Sequence, residues 1–166
     1  MNTSLPYLLD ANVFIEAARR YYAFDLVPRF WTSLEELGQS GRVRSVDRVR
    51  HELERGHDRL AEWAASDFPD AFASTDTLDV LAEFRNVMGW VTAQAQFTGA
   101  AKEQFAGSAD GWLVAYAKTR RYTVVTQEQL SEEVKRRVPI PNVCTAFGIR
   151  FVDTFTMLRE LGVRLG

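Results

Sequence analysis

The sequence predicts an α/β domain in which a parallel sheet of about four short strands is flanked by helices on both faces. Apolar segments of strand length alternate with segments of helical periodicity, and with right-handed crossovers this order is typical of a parallel sheet. A length of 166 residues corresponds to one domain. The hydrophobic share of 46% and charged share of 25% are those of an ordinary folded protein. We therefore expect residues 1–166 to form a single domain.

Four short segments are the predicted strands of this sheet. The first is an apolar run that ends at Asp10, and the third is rich in β-branched residues, which favour strands. In chain order the predicted strands are Leu5–Leu9, Arg42–Val46, Tyr122–Thr126 and Arg150–Val152.

The intervening segments have the apolar spacing and the capping residues of amphipathic helices. Helices are predicted from Asn12 as cap to about Arg20, over Pro28–Gln39, from Asp47 as cap to about Ala65 with a bend at Gly56, over Ser108–Arg120, and after Asp153 as cap. Residues 66–106 are predicted to be a helical insert without strands, in which Asp76 caps a helix that ends near Gly99. Pro139 and Pro141 are expected to interrupt the segment after the third strand.

Composition and charge narrow the class of site. A net charge of −2 gives no sign of a surface dedicated to nucleic acid. The single Cys144 cannot form an internal disulfide, and with only His51 and His57 beside it the chain cannot furnish a nitrogen and sulfur cage for zinc. We find no run of about 20 apolar residues and no basic stretch leading into an apolar one at the start, so we expect a cytoplasmic protein.

Four acidic residues are predicted to meet at one edge of the sheet, since sites in parallel α/β sheets form beyond the carboxyl ends of the strands. Asp10 follows the first strand, and Glu128 lies two residues past the third. Glu52 lies in the second turn of the helix that leaves the second strand. Asp110 lies near the start of the predicted helix Ser108–Arg120, which is roughly 19 Å long and runs antiparallel to the third strand, so the start of this helix returns to the same edge.

Each of these acids alone has an ordinary explanation, as a helix cap or as the partner of a nearby arginine. Convergence without a basic residue among them indicates a cation, because buried unpaired carboxylates destabilise a fold. Carboxylate oxygens suit Mg²⁺ or Mn²⁺ better than zinc, and these ions promote the attack of water on phosphate esters. We therefore expect Asp10, Glu52, Asp110 and Glu128 to be catalytic metal ligands for phosphodiester hydrolysis. Asp153, in contrast, is assigned to helix capping.

Several segments of the sequence resemble PIN-domain nucleases. The four blocks stand in the family's order and cover nearly the whole chain: Leu8–Ile15, Val49–Gly56, Ala109–Ala117 and Val124–Glu128. Within this superfamily the chain is most similar to VapC-like toxins of prokaryotic toxin–antitoxin pairs, in a branch with an extra helical segment and a tail such as Ile140–Cys144. The resemblance implies a PIN-like fold and the same four acids as metal ligands.

The resemblance also implies an activity and partners. It implies a metal-dependent endoribonuclease that acts as a toxin, binds a protein antitoxin and forms a possible homodimer. RNA as the substrate follows from the resemblance alone, because the carboxylates do not distinguish RNA from DNA. Asn12 and Thr126 are implied as polar helpers of the acids. Two positions depart from the family, which commonly has Asp in place of Glu128 and Ser or Thr in place of Asn12.

The arginines between residues 42 and 59 adjoin the predicted site through Glu52. For Arg48, Arg50 and Arg55, contact with RNA phosphate and contact with an acidic protein partner are equally open.

Two other functions remain open beside the nuclease. One is a phosphatase of the haloacid-dehalogenase type. Leu8–Asn12 faintly resembles the nucleophile strand of such phosphatases, although Asn12 stands where they have a second acid. The other is a catalytically weak PIN-like module that holds a partner protein.

Overall fold

The computed structural model describes residues 4–166, and it confirms a parallel α/β fold flanked by helices. Residues 1–3, at the start of the segment that we searched for a targeting signal, lie outside the described residues. Five strands form one parallel sheet in the order β3-β2-β1-β4-β5. Their bounds are β1 Tyr7–Leu9, β2 Val43–Val46, β3 Phe72–Ala73, β4 Thr123–Val125 and β5 Phe151–Val152.

The described residues contain nine α-helices. Their bounds are α1 Ala11–Glu16, α2 Pro28–Gln39, α3 Asp47–Glu54, α4 Arg59–Ser66, α5 Leu78–Ala93, α6 Gly99–Gly107, α7 Asp110–Arg120, α8 Ile140–Ala146 and α9 Thr154–Glu160. A π-helical turn, Ala17–Tyr21, extends α1, and a short 3₁₀ helix, Pro69–Ala71, precedes β3. Within residues 4–166, no helix is long and apolar enough to cross a membrane.

The position of β1 in the middle of the sheet explains why its sequence is continuously apolar rather than alternating. Tyr7, Leu8 and Leu9 are almost completely buried, because β1 pairs with β2 on one side and with β4 on the other. The backbone N–H of Asp10 donates to the carbonyl of Val125, so the pairing with β4 continues to the residue that follows β1. Asp10 is thereby fixed at the carboxyl end of the middle strand.

Residues 66–106 are not entirely helical, and this corrects the prediction that they contain no strand. Phe72 and Ala73 pair in parallel with Ser45 and Val46 and form the fifth strand at the edge of the sheet. A strand of two residues is too short to show a period of two, so the sequence gives no pattern to detect. The rest of the insert forms α5 and α6, and α5 packs against α7.

The predicted helix from Asp47 to Ala65 is also corrected, because it is two helices. The helix is interrupted between α3 and α4, where His57 adopts a positive φ of 48°. Asp58 then caps α4 by accepting a hydrogen bond from the Ala61 N–H at 3.0 Å. Asp47 does not cap α3; its carboxylate accepts hydrogen bonds from Thr75 instead.

The structure also fixes the starts of four other helices. Asp10, rather than Asn12, precedes α1, and Thr77, rather than Asp76, precedes α5. Asp153 caps α9 as predicted, accepting from the Thr156 N–H at 2.8 Å. Pro139 and Pro141 stand at the start of a helix, α8: Pro139 precedes its first residue and Pro141 lies in its first turn, where the N–H has no helical partner.

Candidate active site

Asp10 lies at the centre of the candidate site and is only 1% exposed. Its Oδ2 accepts a hydrogen bond from the hydroxyl of Thr126 at 3.2 Å. Burial raises the pKa of Asp10 to about 7, and the charges of Glu128 and Glu52 add to the rise, while the hydrogen bond from Thr126 opposes it. No arginine or lysine of the described chain forms an ion pair with Asp10.

Glu52 and Asp110 are brought together by the junction of α3 with α7. The Oε1 of Glu52 accepts a hydrogen bond from the backbone N–H of Ala109 at 3.1 Å, and Ala109 directly precedes the first residue of α7. Asp110 is that first residue and is half-buried. This contact places the α3 carboxylate beside the α7 carboxylate, although 57 residues separate Ala109 from Glu52 in the chain.

Glu128 reaches the same place from the loop after β4. Its backbone N–H donates to the hydroxyl oxygen of Thr126 at 3.1 Å, and its Oε1 accepts from the N–H of Ile140, the first residue of α8, at 3.3 Å. Thr126 therefore connects Asp10 to the Glu128 loop, which agrees with a polar helper at this position.

The charges of neighbouring acids act on Asp10 and on Asp110. Burial raises the pKa of Asp110 well above its ordinary value, and the charges of Asp10, Glu128 and Glu52 raise it further, while Arg137 lowers it. Burial also raises the pKa of Glu128, against the N–H of Ile140 and the charge of Arg137. The structure thus brings together the four acids that the sequence places at one sheet edge.

The donor chemistry of this acid cluster fits a hard cation, because every side-chain donor is a carboxylate oxygen and none is paired with a base in the described chain. The side chains are farther apart than they would be in a formed metal-coordination site. Within residues 4–166, no three His, Cys, Asp or Glu side chains are gathered so that all of them could hold one ion. Rotation of the carboxylates toward an ion is therefore part of any binding here.

A cleft of about 520 Å³ opens beside Glu128. Asn12 is exposed and lines this cleft rather than contacting Asp10. The other lining residues are Glu16, Tyr21, Gln127, Gln129 and Arg137. Sequence reasoning missed Tyr21, the two glutamines and Arg137 as site residues. The Arg136-Arg137 pair was the available signal for one of them, whereas the π-helical turn that ends at Tyr21 has no recognisable sequence pattern.

The three candidate arginines of α3 and its end differ in their surroundings. The guanidinium of Arg48 lies over the ring of Trp112, 3.8 Å from its centroid, and its Nε donates to the Thr75 hydroxyl. Arg50 pairs with Glu54 one helical turn away at 2.9 Å. Arg55 is exposed at the end of α3.

Comparisons with known proteins identify the family and the fold. The family model described as a domain of unknown function (DUF4411) matches residues 7–165. The chain belongs to the DUF4411 family. No curated protein gives a significant match to the sequence of this DUF4411 protein.

Among solved structures, the DUF4411 chain is similar to the "Crystal structure of VapBC2 from Rickettsia felis bound to a DNA fragment from their promoter". The match has 13% sequence identity and a TM-score of 0.55, and it covers 90% of this chain and 98% of that one. At this identity the likeness concerns the fold, and it confirms the PIN-like fold that the sequence predicts.

Proposed function

We propose that this protein is a Mg²⁺- or Mn²⁺-dependent endoribonuclease and the toxin of a toxin–antitoxin pair. One observation supports the nuclease above all: Asp10 is fully buried at the end of the central strand without a basic partner in the described chain, and the charges of Glu128 and Glu52 act on it. A structural carboxylate at such a place normally has a counter-ion. The reaction class is the one that the resemblance of the sequence to PIN-domain nucleases implies, and the likeness of the fold to a VapBC2 chain supports it.

Asp10, Glu52, Asp110 and Glu128 would hold the cation in this proposal. When bound, Mg²⁺ or Mn²⁺ supplies a Lewis acid that lowers the pKa of water and offsets charge on the phosphate. The chain contributes fixed orientations: Thr126 holds Asp10, the Ala109 N–H holds Glu52, and the Ile140 N–H holds Glu128. These neutral donors position the acids without neutralising them, so their charge remains available to a cation.

Cleavage of total RNA by the purified protein, with Mn²⁺ or EDTA, tests the nuclease. Hydrolysis by water should leave 5′-phosphate and 3′-hydroxyl ends, which end-labelling and mapping of the cut sites detect. Cyclic-phosphate ends, or undiminished cleavage in EDTA, would contradict the metal-dependent mechanism.

Two carboxylates at the same edge of the sheet give a matched pair of variants. Asp110→Asn should abolish cleavage, because it removes a proposed ligand. Asp153→Asn should cleave like the parent, since Asp153 caps α9 and Asn caps helices equally well. Equal loss of activity in both variants would point to a general effect of removing charge at this edge.

The toxin role is tested by expressing the chain alone in a prokaryotic host. Growth arrest is expected, with relief when a small protein encoded beside it is co-expressed and co-purifies as the antitoxin. The expectations of a homodimer and of a cytoplasmic protein belong to this proposal. Normal growth despite soluble, unmutated protein would contradict toxicity while leaving the nuclease test independent.

A catalytically weak PIN-like module that holds a partner protein is the second candidate. The observation that favours it is the open arrangement of the acids: within the described residues, no three of them are placed so that they could hold one metal ion. Tight binding of a partner without RNA cleavage in Mn²⁺ is the result that would replace the nuclease with this function.

A further inference from the structure

The cleft beside Glu128 has the chemistry of a nucleotide subsite. Its volume of about 520 Å³ lies in the range of small-ligand sites. Besides two acids, its lining consists of one aromatic ring, three amides and one guanidinium: Tyr21, Asn12, Gln127, Gln129 and Arg137. The cleft acid Glu16 pairs with Arg20 at 3.4 Å, so its charge is partly compensated.

Tyr21 offers an aromatic ring at the wall of this cleft. It is 50% exposed, and it is among the large hydrophobic side chains of the described residues that remain open to solvent. Its neighbours Tyr22 and Phe155 lie at centroid distances of 6.4 and 6.1 Å in tilted and edge-on arrangements. Among the described residues no ring is stacked parallel on Tyr21, so the ring is open to stacking. The π-helical turn that ends at Tyr21 is of a kind that often marks functional positions.

Arg137 supplies the positive charge of the cleft. It is exposed and forms no ion pair with any carboxylate of residues 4–166. Its charge nevertheless reaches both Asp110 and Glu128, whose pKa values it lowers. A guanidinium near the acid cluster but not engaged by it can bind phosphate.

We propose that this cleft binds one unpaired nucleotide of RNA beside the scissile phosphate, an inference that rests on the proposed nuclease function. The base stacks on Tyr21, the adjoining phosphate contacts Arg137, and the three amides accept and donate hydrogen bonds at the base edge. The cleft admits an unpaired base, because a paired base would have to leave its stack to occupy it.

Fluorescence anisotropy with a labelled single-stranded RNA oligonucleotide tests the subsite. Binding is measured in an Asp110→Asn background in EDTA, so that the RNA stays intact, over a series of salt concentrations. Tyr21→Ala should weaken binding about 5- to 150-fold without changing the salt slope, the usual effect of losing one base-stacking ring. Tyr21→Phe should restore the affinity because it keeps the ring. A duplex of the same sequence should not respond to Tyr21.

Arg137→Ala and Arg136→Ala form a matched pair, since each removes one positive charge and only Arg137 lines the cleft. Arg137→Ala should flatten the dependence of log Kd on log salt by about 0.7, the value for one phosphate contact to a single strand. Arg136→Ala should keep the slope of the parent. Circular dichroism confirms folding of each variant, and Tyr21→Leu replaces Tyr21→Ala if the latter unfolds.

The outcomes separate the subsite from the nuclease. If Tyr21→Ala and Arg137→Ala bind RNA like the parent while the unmutated protein cleaves RNA in Mn²⁺, the subsite is wrong and the nuclease stands. If both variants lose binding as expected but the unmutated protein does not cleave, the subsite is supported and the nuclease is wrong. If the parent neither binds nor cleaves, both are overturned.

Discussion

Trp112, two residues after Asp110, is held between a cation and an aromatic ring. The Arg48 guanidinium carbon lies 3.8 Å from the Trp112 centroid, and the Phe84 ring stacks at 3.8 Å with an interplanar angle of 5°. Two groups this close to one ring must occupy opposite faces. The stack therefore joins α3, α7 and α5, and within residues 4–166 Arg48 donates one side-chain hydrogen bond, from its Nε to Thr75.

Arg48→Ala is expected to destabilise the protein by about 1–2 kcal/mol, because it removes both the contact with Trp112 and the hydrogen bond to Thr75. Arg50→Ala is the matched change on the same helix, and its partly exposed pair with Glu54 is expected to contribute less than about 0.5 kcal/mol. Urea denaturation of both variants measures the difference. Equal stabilities would show that the Trp112 stack adds nothing to α3.

RNA affinity distinguishes the two uses of these arginines. If Arg48 contacts an RNA phosphate, Arg48→Ala should weaken RNA binding across sequences and flatten its salt dependence. An Arg→Ala series over Arg48, Arg50 and Arg55 that leaves RNA binding intact but abolishes binding of a co-purifying protein would assign these side chains to the partner interface.

Asp10 should make the metal-free protein more stable as the pH falls. Its pKa is 3.8 in the unfolded chain and about 7 when folded, so between these values the native state binds more protons than the unfolded state. Stability therefore falls as the pH rises from about 4 to about 7, by an amount on the order of 3 kcal/mol. Asp10→Asn should lose this part of the pH dependence in EDTA. Denaturation midpoints that rise between pH 5 and 7, equally in parent and variant, would contradict it.

At the scale of the elements, the sequence predicts helices with a periodic apolar pattern. It does not predict elements that are very short or that depend on residues distant in the chain. The bounds of α2, Pro28–Gln39, follow from its helical spacing and are confirmed. The strand β3 and the break at His57 depend instead on pairing with β2 and on the cap by Asp58. In the site, the ends of two strands and the phase of two helices predict that the four acids lie near one edge of the sheet, whereas their role as metal ligands stays a prediction. Tyr21 and Arg137 reach the cleft through a π-helical turn and a loop, which have no periodic signal.

Gly111, in the first turn of α7, lets the insert approach the site. A Cβ at this position would lie 2.9 Å from Phe84 and 3.2 Å from Phe105, closer than ordinary van der Waals contact. Gly111→Ala should therefore push Phe84 from Trp112 and destabilise the protein by about 1–2 kcal/mol, despite the better helix propensity of Ala.

Gly89→Ala is the control for this prediction. Gly89 lies inside α5, and a methyl group added there would meet nothing within 4 Å, so the same change should stabilise by about 0.5–1 kcal/mol. Thermal unfolding of the two variants gives the signs directly. Stabilisation by Gly111→Ala as well would mean that α5 and α7 are not in close contact there.

At the scale of the whole molecule, the acid cluster that the proposed function requires is expected to lower the stability of the metal-free protein. The sheet gathers Asp10, Glu52, Asp110 and Glu128 at one edge, where burial and mutual repulsion raise the pKa values of Asp10 and Asp110. Like charges held together in this way destabilise the native state when no cation is present. Structural ion pairs would have the opposite effect, since losing one partner leaves the other buried and unpaired.

Melting curves in EDTA and in millimolar Mn²⁺ therefore test the site as a whole. In EDTA, Asp110→Asn should melt at or above the parent, because it relieves repulsion. Mn²⁺ at ten times its Kd should stabilise the parent by about 1.4 kcal/mol, a rise of about 3–5 °C, because the ion binds only the native state. Asp110→Asn should respond much less, whereas Asp153→Asn should respond like the parent. A less stable Asp110→Asn in EDTA, with no response to Mn²⁺ in any protein, would identify the four acids as structural.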